Sequence, residues 1–412
     1  MGATSCLEYC NKAENEASVQ YLNTNKGIYN NINPKNINRR HSNENNSIKN
    51  IFSGNINEPE IKEIKVDNKF EEFKKKFEKK LIEFGQYIEK EQFEELIPEN
   101  VRLYMTQNEF QIPDNIKIND NTYEMKPIKF RNDSIYAGHW NDKIVMDGLG
   151  KYFIKDGNLF IEGIWEDGRS TYGRIYYPNN NIYEGYIKNS NCEGKGKLIY
   201  ESGDVYEGDF KEGDIEGYGK FTFSDKTTYE GQFSKGNLNG QGVMKWANGI
   251  TYEGNFTSGV LNNKGRITGI DGEQYEGDFL NNYFNGKGKY IFEDGSTYEG
   301  DYESGLRNGK GIYKKKDEFS YEGSWANDYP HGFGTYTFGS VSVKGIWRNG
   351  INAEISKLEG CEMNEFNHKI LNFKIPESNL IPDRLPNLTN VNSYKNFATS
   401  NIPSYLNSRE EV

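Results

Sequence analysis

The residues with the clearest chemical potential stand at the start of the chain. Removing Met1 would expose Gly2, which the small residues Ala3, Thr4 and Ser5 follow, and then come Cys6 and Cys10. An N-terminal glycine ahead of small residues is a substrate for amide acylation by a myristoyl chain, and a cysteine held near a bilayer is a target for thioester acylation by palmitate. Cys6 stands where Ser or Thr is usual, with Ser5 one place early. One myristoyl chain binds a membrane only marginally, with a constant on the order of 10^4 M⁻¹, so stable residence takes a second signal. Cys6 and Cys10 would supply it; the alternative is two ordinary thiols in a loose tail.

Other chemistries find little support. A formal net charge of -11 argues against nucleic acid as a partner, since phosphate-backbone binding needs a basic field. The cysteines Cys6, Cys10, Cys192 and Cys361 and the four histidines lack zinc-ligand spacing, so no metal or cofactor is expected. No Gly-x-x-x-x-Gly-Lys-[Ser/Thr] loop is present, and the Gly-Lys-Gly triplets read as strand positions. His331, between Pro330 and Gly332, reads as a turn residue. The longest apolar run is far short of the roughly twenty residues a spanning helix needs, so a cytosolic chain is expected.

Composition changes sharply along the chain. Of 44 glycines, 39 fall between Tyr136 and Gly350. Residues 1–57 hold 15 Asn and few large apolar groups, which predicts a disordered tether. Over 58–97, Phe70, Phe73, Phe77, Leu81, Phe84 and Ile88 recur at steps of three and four, which predicts one amphipathic helix. Its Phe stripe would pack on the same protein, lie on an anionic membrane or form a coiled-coil seam. Residues 98–135 read as an N-terminal cap, 136–350 as a repeat array, and 351–412 as a C-terminal cap and loose tail.

The array has a period of 23 residues. Tyr-Glu-Gly or a relative begins at Tyr136, Ile161, Tyr183, Tyr206, Tyr229, Tyr252, Tyr275, Tyr298, Tyr321 and Val343. In the unit from Tyr206, two alternating segments flank a turn near Gly213, a hairpin signature. A turn centred on Gly213 and Asp214 sets Phe210 opposite Gly217, Gly208 opposite Gly219 and Tyr206 opposite Phe221, so rings cover glycines. Stacked units align an aromatic column of Trp140, Trp165, Ile187, Phe210, Phe233, Phe256, Phe279, Tyr302, Trp325 and Trp347. On the other face Glu184, Glu207, Glu253 and Glu276 should pair with Lys197, Lys220, Arg266 and Lys289 across their own hairpins. The fold class is therefore mainly β: an elongated single-layer antiparallel sheet of stacked hairpins, roughly 90 to 100 Å long at about 4.8 Å per strand.

The succession Tyr-Glu-Gly-x-Phe, Asn-Gly-x-Gly and Asp-Gly-x-x-Tyr resembles the MORN repeat (membrane occupation and recognition nexus) over about nine and a half units. The Ile161 unit lacks Gly-x-Gly, Asn263 replaces the first Gly of the Tyr252 unit, and the last unit lacks a second strand. The resemblance implies a non-enzymatic scaffold for protein partners at a membrane, cortical cytoskeleton or membrane skeleton, and sometimes lipid-headgroup binding. Lys195, Lys197, Lys220, Lys264, Arg266, Lys287, Lys289 and Lys310 form a basic stripe for anionic phospholipid, although residues 136–348 carry 31 acidic and 24 basic groups. A phosphoinositide-binding module and an unacylated ciliary or axonemal structural protein are the alternative readings. Exposed edge strands leave a homodimer open.

Overall fold

The computed structural model describes residues 68–360 apart from 156, 157 and 190, all in the second of two compact units, Val66–Val412. Gly2, Cys6, Cys10, the 1–57 tether, the start of the expected helix and the tail from residue 361 lie outside the described residues.

Among the described residues the chain makes three helices, α1 (Asn68–Phe84), α2 (Lys90–Leu96) and α3 (Glu99–Gln107), and one sheet of 22 strands. Every pairing is antiparallel between strands adjacent in sequence, and the sheet does not close: Gly85–Tyr87 and Ile351–Glu359 each pair on one side only. A 23-residue unit is one hairpin, as in Val205–Lys211 and Asp214–Thr222.

The hairpin turn falls one residue earlier than the sequence suggests. Glu212 (φ 51°) and Gly213 (φ 91°) are its two central residues, both left-handed, which gives a turn whose twist matches that of the strands. Phe210 therefore faces Ile215 and not Gly217; an irregularity between Ile215 and Gly219 then takes up the extra residues and restores the Gly208–Gly219 and Tyr206–Phe221 pairs. Gly217 instead pairs with Phe233 of the next hairpin.

The two glycines of Gly-x-Gly have separate physical roles. Gly217, with φ +80°, supplies the left-handed residue of the bulge, and Asn263 holds the same place at φ 60° because Asn tolerates that region. Gly219 lies under a ring: a Cβ there would stand 2.6 Å from Cζ of Tyr206. The Tyr206 hydroxyl reaches over the glycine pair and donates to the Asp209 carbonyl, as Tyr229 does to Gln232 and Tyr252 to Asn255.

These tyrosines interleave with the next unit's aromatic residue. Tyr206 meets Phe210 and Phe233 edge-on at 5.2 and 5.1 Å, Tyr229 meets Phe233 and Phe256 at 5.1 and 5.0 Å, and the pattern runs on to Tyr321, Trp325 and Trp347. Edge-to-face pairs of this kind add about 0.5–1.5 kcal/mol each beyond burial. No helix follows Gln107 among the described residues, so from the middle repeats onward these rings are kept from water by the sheet itself, bent at every bulge.

Where one helix was expected over 58–97, the chain forms α1, a short strand and α2. Gly85 ends α1, and Gly85–Tyr87 pairs with Tyr123–Phe130, which covers that sheet edge. The Phe stripe packs on the protein itself: Phe73 stacks on Tyr123 at 4.2 Å and Phe77 meets Trp140 edge-on at 5.0 Å. Through Phe93, Ile97 and Val101, α2 and α3 pack on Ile135, Phe160 and Tyr176, which alternate along their strands with the ring-face residues Tyr136, Ile161 and Ile175. At the far end, the last unit does have a second strand, Ile351–Glu359, built from sequence without the repeat motif.

A polar trough as candidate functional site

Strand alternation puts a second set of residues on the face opposite the rings. Two rows cross that face. In the first, register joins Lys151, Glu162, Arg174, Glu184, Lys197, Glu207, Lys220 and Glu230 in unbroken alternation of charge. It continues through Val243, Glu253, Arg266, Glu276, Lys289, Glu299, Ile312, Glu322, Thr335 and Lys344.

The second row lies beside it and uses the middle residue of Gly-x-Gly. Lys195 pairs with Asp209 at 2.7 Å and Lys264 with Asp278 at 2.8 Å, and Lys287 reaches Asp301. These aspartates also close the bulge: Oδ2 of Asp209, Asp278 and Asp301 accepts the backbone N–H of Tyr218, Lys287 and Lys310, and Gln232 Oε1 accepts that of Gln241. Burial pushes the Asp209 and Asp301 carboxyls up, but the lysine ammonium and the backbone N–H outweigh it, and both sit below the ordinary range.

From about Gln241 to Ser356 the two rows line an open groove of about 1780 Å³ with a glycine floor. Nearer the N-terminus the same face is covered by the chain's own residues 99–121. Arg174, almost wholly buried, donates to Glu184 at 2.6 Å and to the carbonyls of Asn108 and Glu109 at 2.5 and 3.1 Å. Tyr176 donates to Glu162 at 2.5 Å, Phe110 stacks on Tyr172 at 6.0 Å, and the Asn115 amide donates to the Tyr186 hydroxyl at 2.8 Å. An extended piece of polypeptide thus already occupies one end of the trough, held by its carbonyls and by ring contact.

The column residues Trp140, Trp165, Ile187, Phe210, Phe233, Phe256, Phe279, Tyr302, Trp325 and Trp347 all lie buried on the ring face. The stripe residues share the trough, yet Lys195, Lys197, Lys264, Arg266 and Lys287 are each engaged by a carboxylate. Lys310 donates to Ser324 Oγ, while Lys220 and Lys289 each stand in register between two glutamates. The expected Glu–Lys registers within hairpins are present, but ion pairs form between hairpins, Lys197 to Glu207 at 2.8 Å and Arg266 to Glu276 at 2.7 Å. Lys197 and Arg266, each flanked by two glutamates, close on the one in the next hairpin. Sequence reasoning missed the Arg174 network and the apolar second-row residues Tyr172, Tyr186 and Phe333; nothing in residues 99–121 signals where that segment lies. Among the described residues there is no cluster that would hold a metal ion.

The MORN repeat family matches seven successive spans, residues 183–205, 206–228, 229–251, 252–274, 275–297, 298–318 and 321–340. Residues 183–340 therefore carry seven MORN repeats, a family of repeats that generally serves as a non-enzymatic scaffold or binding module. No curated protein matches it in sequence. Among solved structures, the TCP10 domain of Danio rerio CPAP with a peptide of STIL is 8% identical, covering 52% of this chain and 95% of that one at a TM-score of 0.33. The TCP domain of Drosophila melanogaster SAS-4 with a proline-rich motif of Ana2 is 14% identical, covering 47% and 98% at 0.23.

Proposed function

We propose that this chain is a non-enzymatic scaffold, held at the cytoplasmic face of a membrane by acyl chains on Gly2, Cys6 and Cys10, that offers its trough to protein partners of a cortical or membrane-skeleton complex. The observation that carries the reading is the open ladder of alternating charge from Glu253 to Glu299, fixed in register by the repeats. Such a pattern discriminates partners through like-charge mismatches more than it adds raw affinity. Engagement of the stripe lysines by carboxylates favours protein over anionic lipid as the trough's ligand.

Replacing Gly2 by Ala in the full chain should move the protein from the membrane to the soluble fraction. Unchanged membrane recovery would remove the anchor, and an unacylated N-terminal peptide in an intact-mass measurement would favour the ciliary or axonemal reading. Charge reversal of Arg266 and Lys289 should lower partner recovery and leave membrane recovery as it was. Loss of binding to phosphoinositide vesicles in the same variant would support the lipid reading instead.

A further inference from the structure

We propose that Tyr218 and Lys220 form a binding site in the trough for an extended segment of a protein partner that carries an aromatic residue. The site is a second copy of the one that the chain's own residues 108–110 fill at Arg174. It rests on the reading of the trough as a protein-receiving face and names the chemistry of what that face receives.

The first argument is repeat equivalence. Arg174 stands in register between Glu162 and Glu184, and Tyr172 lies two residues before it in the second row. Two units later Lys220 stands between Glu207 and Glu230, and Tyr218 lies two residues before it. Elsewhere the pattern differs: Lys197, Arg266 and Lys289 have a second lysine at that place, and Lys151 and Lys344 have an aliphatic residue. The first copy is filled. Arg174 donates to the carbonyls of Asn108 and Glu109, and the Phe110 ring stacks on Tyr172 and lies 5.4 Å from the guanidinium. The second copy is open, with Tyr218 52% exposed and Lys220 exposed beside it.

The second argument is what the groups around Lys220 already do. Glu207 is taken by Lys197 at 2.8 Å, and Glu230 accepts the Tyr218 hydroxyl at 3.1 Å. Among the described residues, Lys220 makes an ion pair with neither acid, so its N–H donors are available to a carbonyl. Tyr218 is held at both ends, since its backbone N–H donates to Asp209 at 3.0 Å. Single exposed rings are common on proteins, but a ring pinned in place beside a cation offers a ligand a preformed surface at little entropic cost.

The filled copy sets the chemistry of the ligand. Its carbonyls are free to accept because residues 108–110 follow the end of α3 at Gln107 and are not helical, so the partner segment must be extended as well. A ring set between a tyrosine and a cation gains from both ring stacking and cation–π attraction. Gln232 stands where Tyr186 does, so the equivalence covers residues 108–110 and not Asn115, which donates to Tyr186. Lysine brings a compact ammonium where arginine has a planar fork, so the two-carbonyl grip of Arg174 is loosened at Lys220. The open copy is therefore the weaker one, which suits a partner that comes and goes.

The probe is a synthetic peptide of residues 108–113 with blocked ends, added to the full chain and carrying a photoreactive benzoyl group on the Phe110 ring. Cross-links should map to the strand Asp214–Thr222, and the unlabelled peptide should compete for them whereas its Phe110→Ser form should not. In titrations of the full chain, Tyr218→Ser should weaken binding by about two- to ten-fold, the worth of one ring pair. Lys220→Glu should abolish binding, and Lys220→Arg should tighten it by about ten-fold through a second carbonyl contact. Both side chains are exposed, so the urea midpoints of these variants should stay unchanged and a loss of binding would not report unfolding. A peptide that does not bind, or that binds all variants alike, would overturn the proposal. Cross-links at Tyr172 would show that the peptide displaces the cis segment instead and would overturn it equally. Partner recovery with Arg266 and Lys289 reversed tests the scaffold function without the peptide, so the two readings fail separately.

Discussion

Arg174 and Arg266 occupy the same ladder position in different units, yet their surroundings differ. Arg174 lies beneath the N-terminal segment, 5% exposed, and is shared among Glu162, Glu184 and two backbone carbonyls. Arg266 stands in open trough, 55% exposed, and meets Glu276 alone. A charge removed from water must be fully satisfied by its neighbours, and at Arg174 it is; a charge left in water gives a contact that solvent and salt weaken. One repeat chemistry thus yields a fixed structural joint at the capped end and a labile recognition surface further along.

The sharpest way to break that contrast is Arg174→Ala. It leaves Glu162 buried without its cation and should cost about 3–5 kcal/mol in urea unfolding; a loss no larger than that of Arg266→Ala would show that the cap adds nothing. Gly219→Ala puts a methyl group against the Tyr206 ring and should cost about 1–3 kcal/mol. Because each hairpin touches only its neighbours, amide protection should fall in the hairpins around residue 219 and hold near Trp140.

Gly332→Ala tests the bulge without a collision, since a Cβ there meets nothing nearer than 3.5 Å. Its left-handed φ of 78° should still cost about 1–2 kcal/mol, whereas Asn263→Gly should change the urea midpoint hardly at all. Acid gives a smaller, shared effect. The Asp209 and Asp301 carboxyls sit below their unfolded value, so their contribution is present above that value and fades as pH falls through the carboxylate range and below. The urea midpoint should therefore drop on going from pH 6 to pH 3, by less in Asp209→Asn than in the unsubstituted chain. Smallest of all is Arg266→Ala, below about 1 kcal/mol and vanishing in high salt.

Much of the fold could be read from the chain because the repeat states its register many times. Gly208 opposite Gly219 and Tyr206 opposite Phe221 follow from alternation alone. The turn was misplaced by one residue because Glu212 adopts a left-handed conformation that composition does not announce. The bulge at Gly217 then hid the error by restoring the register downstream. In the candidate site, the stripe cations were visible as residues but not as partners: Lys197 and Arg266 each stand between two glutamates, and the sheet geometry selects one.

By itself, then, the sequence determined the hairpin period, the ring face and the alternation of charge, since these are local and repeat every 23 residues. Tertiary structure alone decided which stretch of trough is covered, that Arg174 is buried, and that Phe333 stands open. Those outcomes depend on where a non-repeating segment docks, and such contacts join residues distant in the chain with no periodic pattern to announce them.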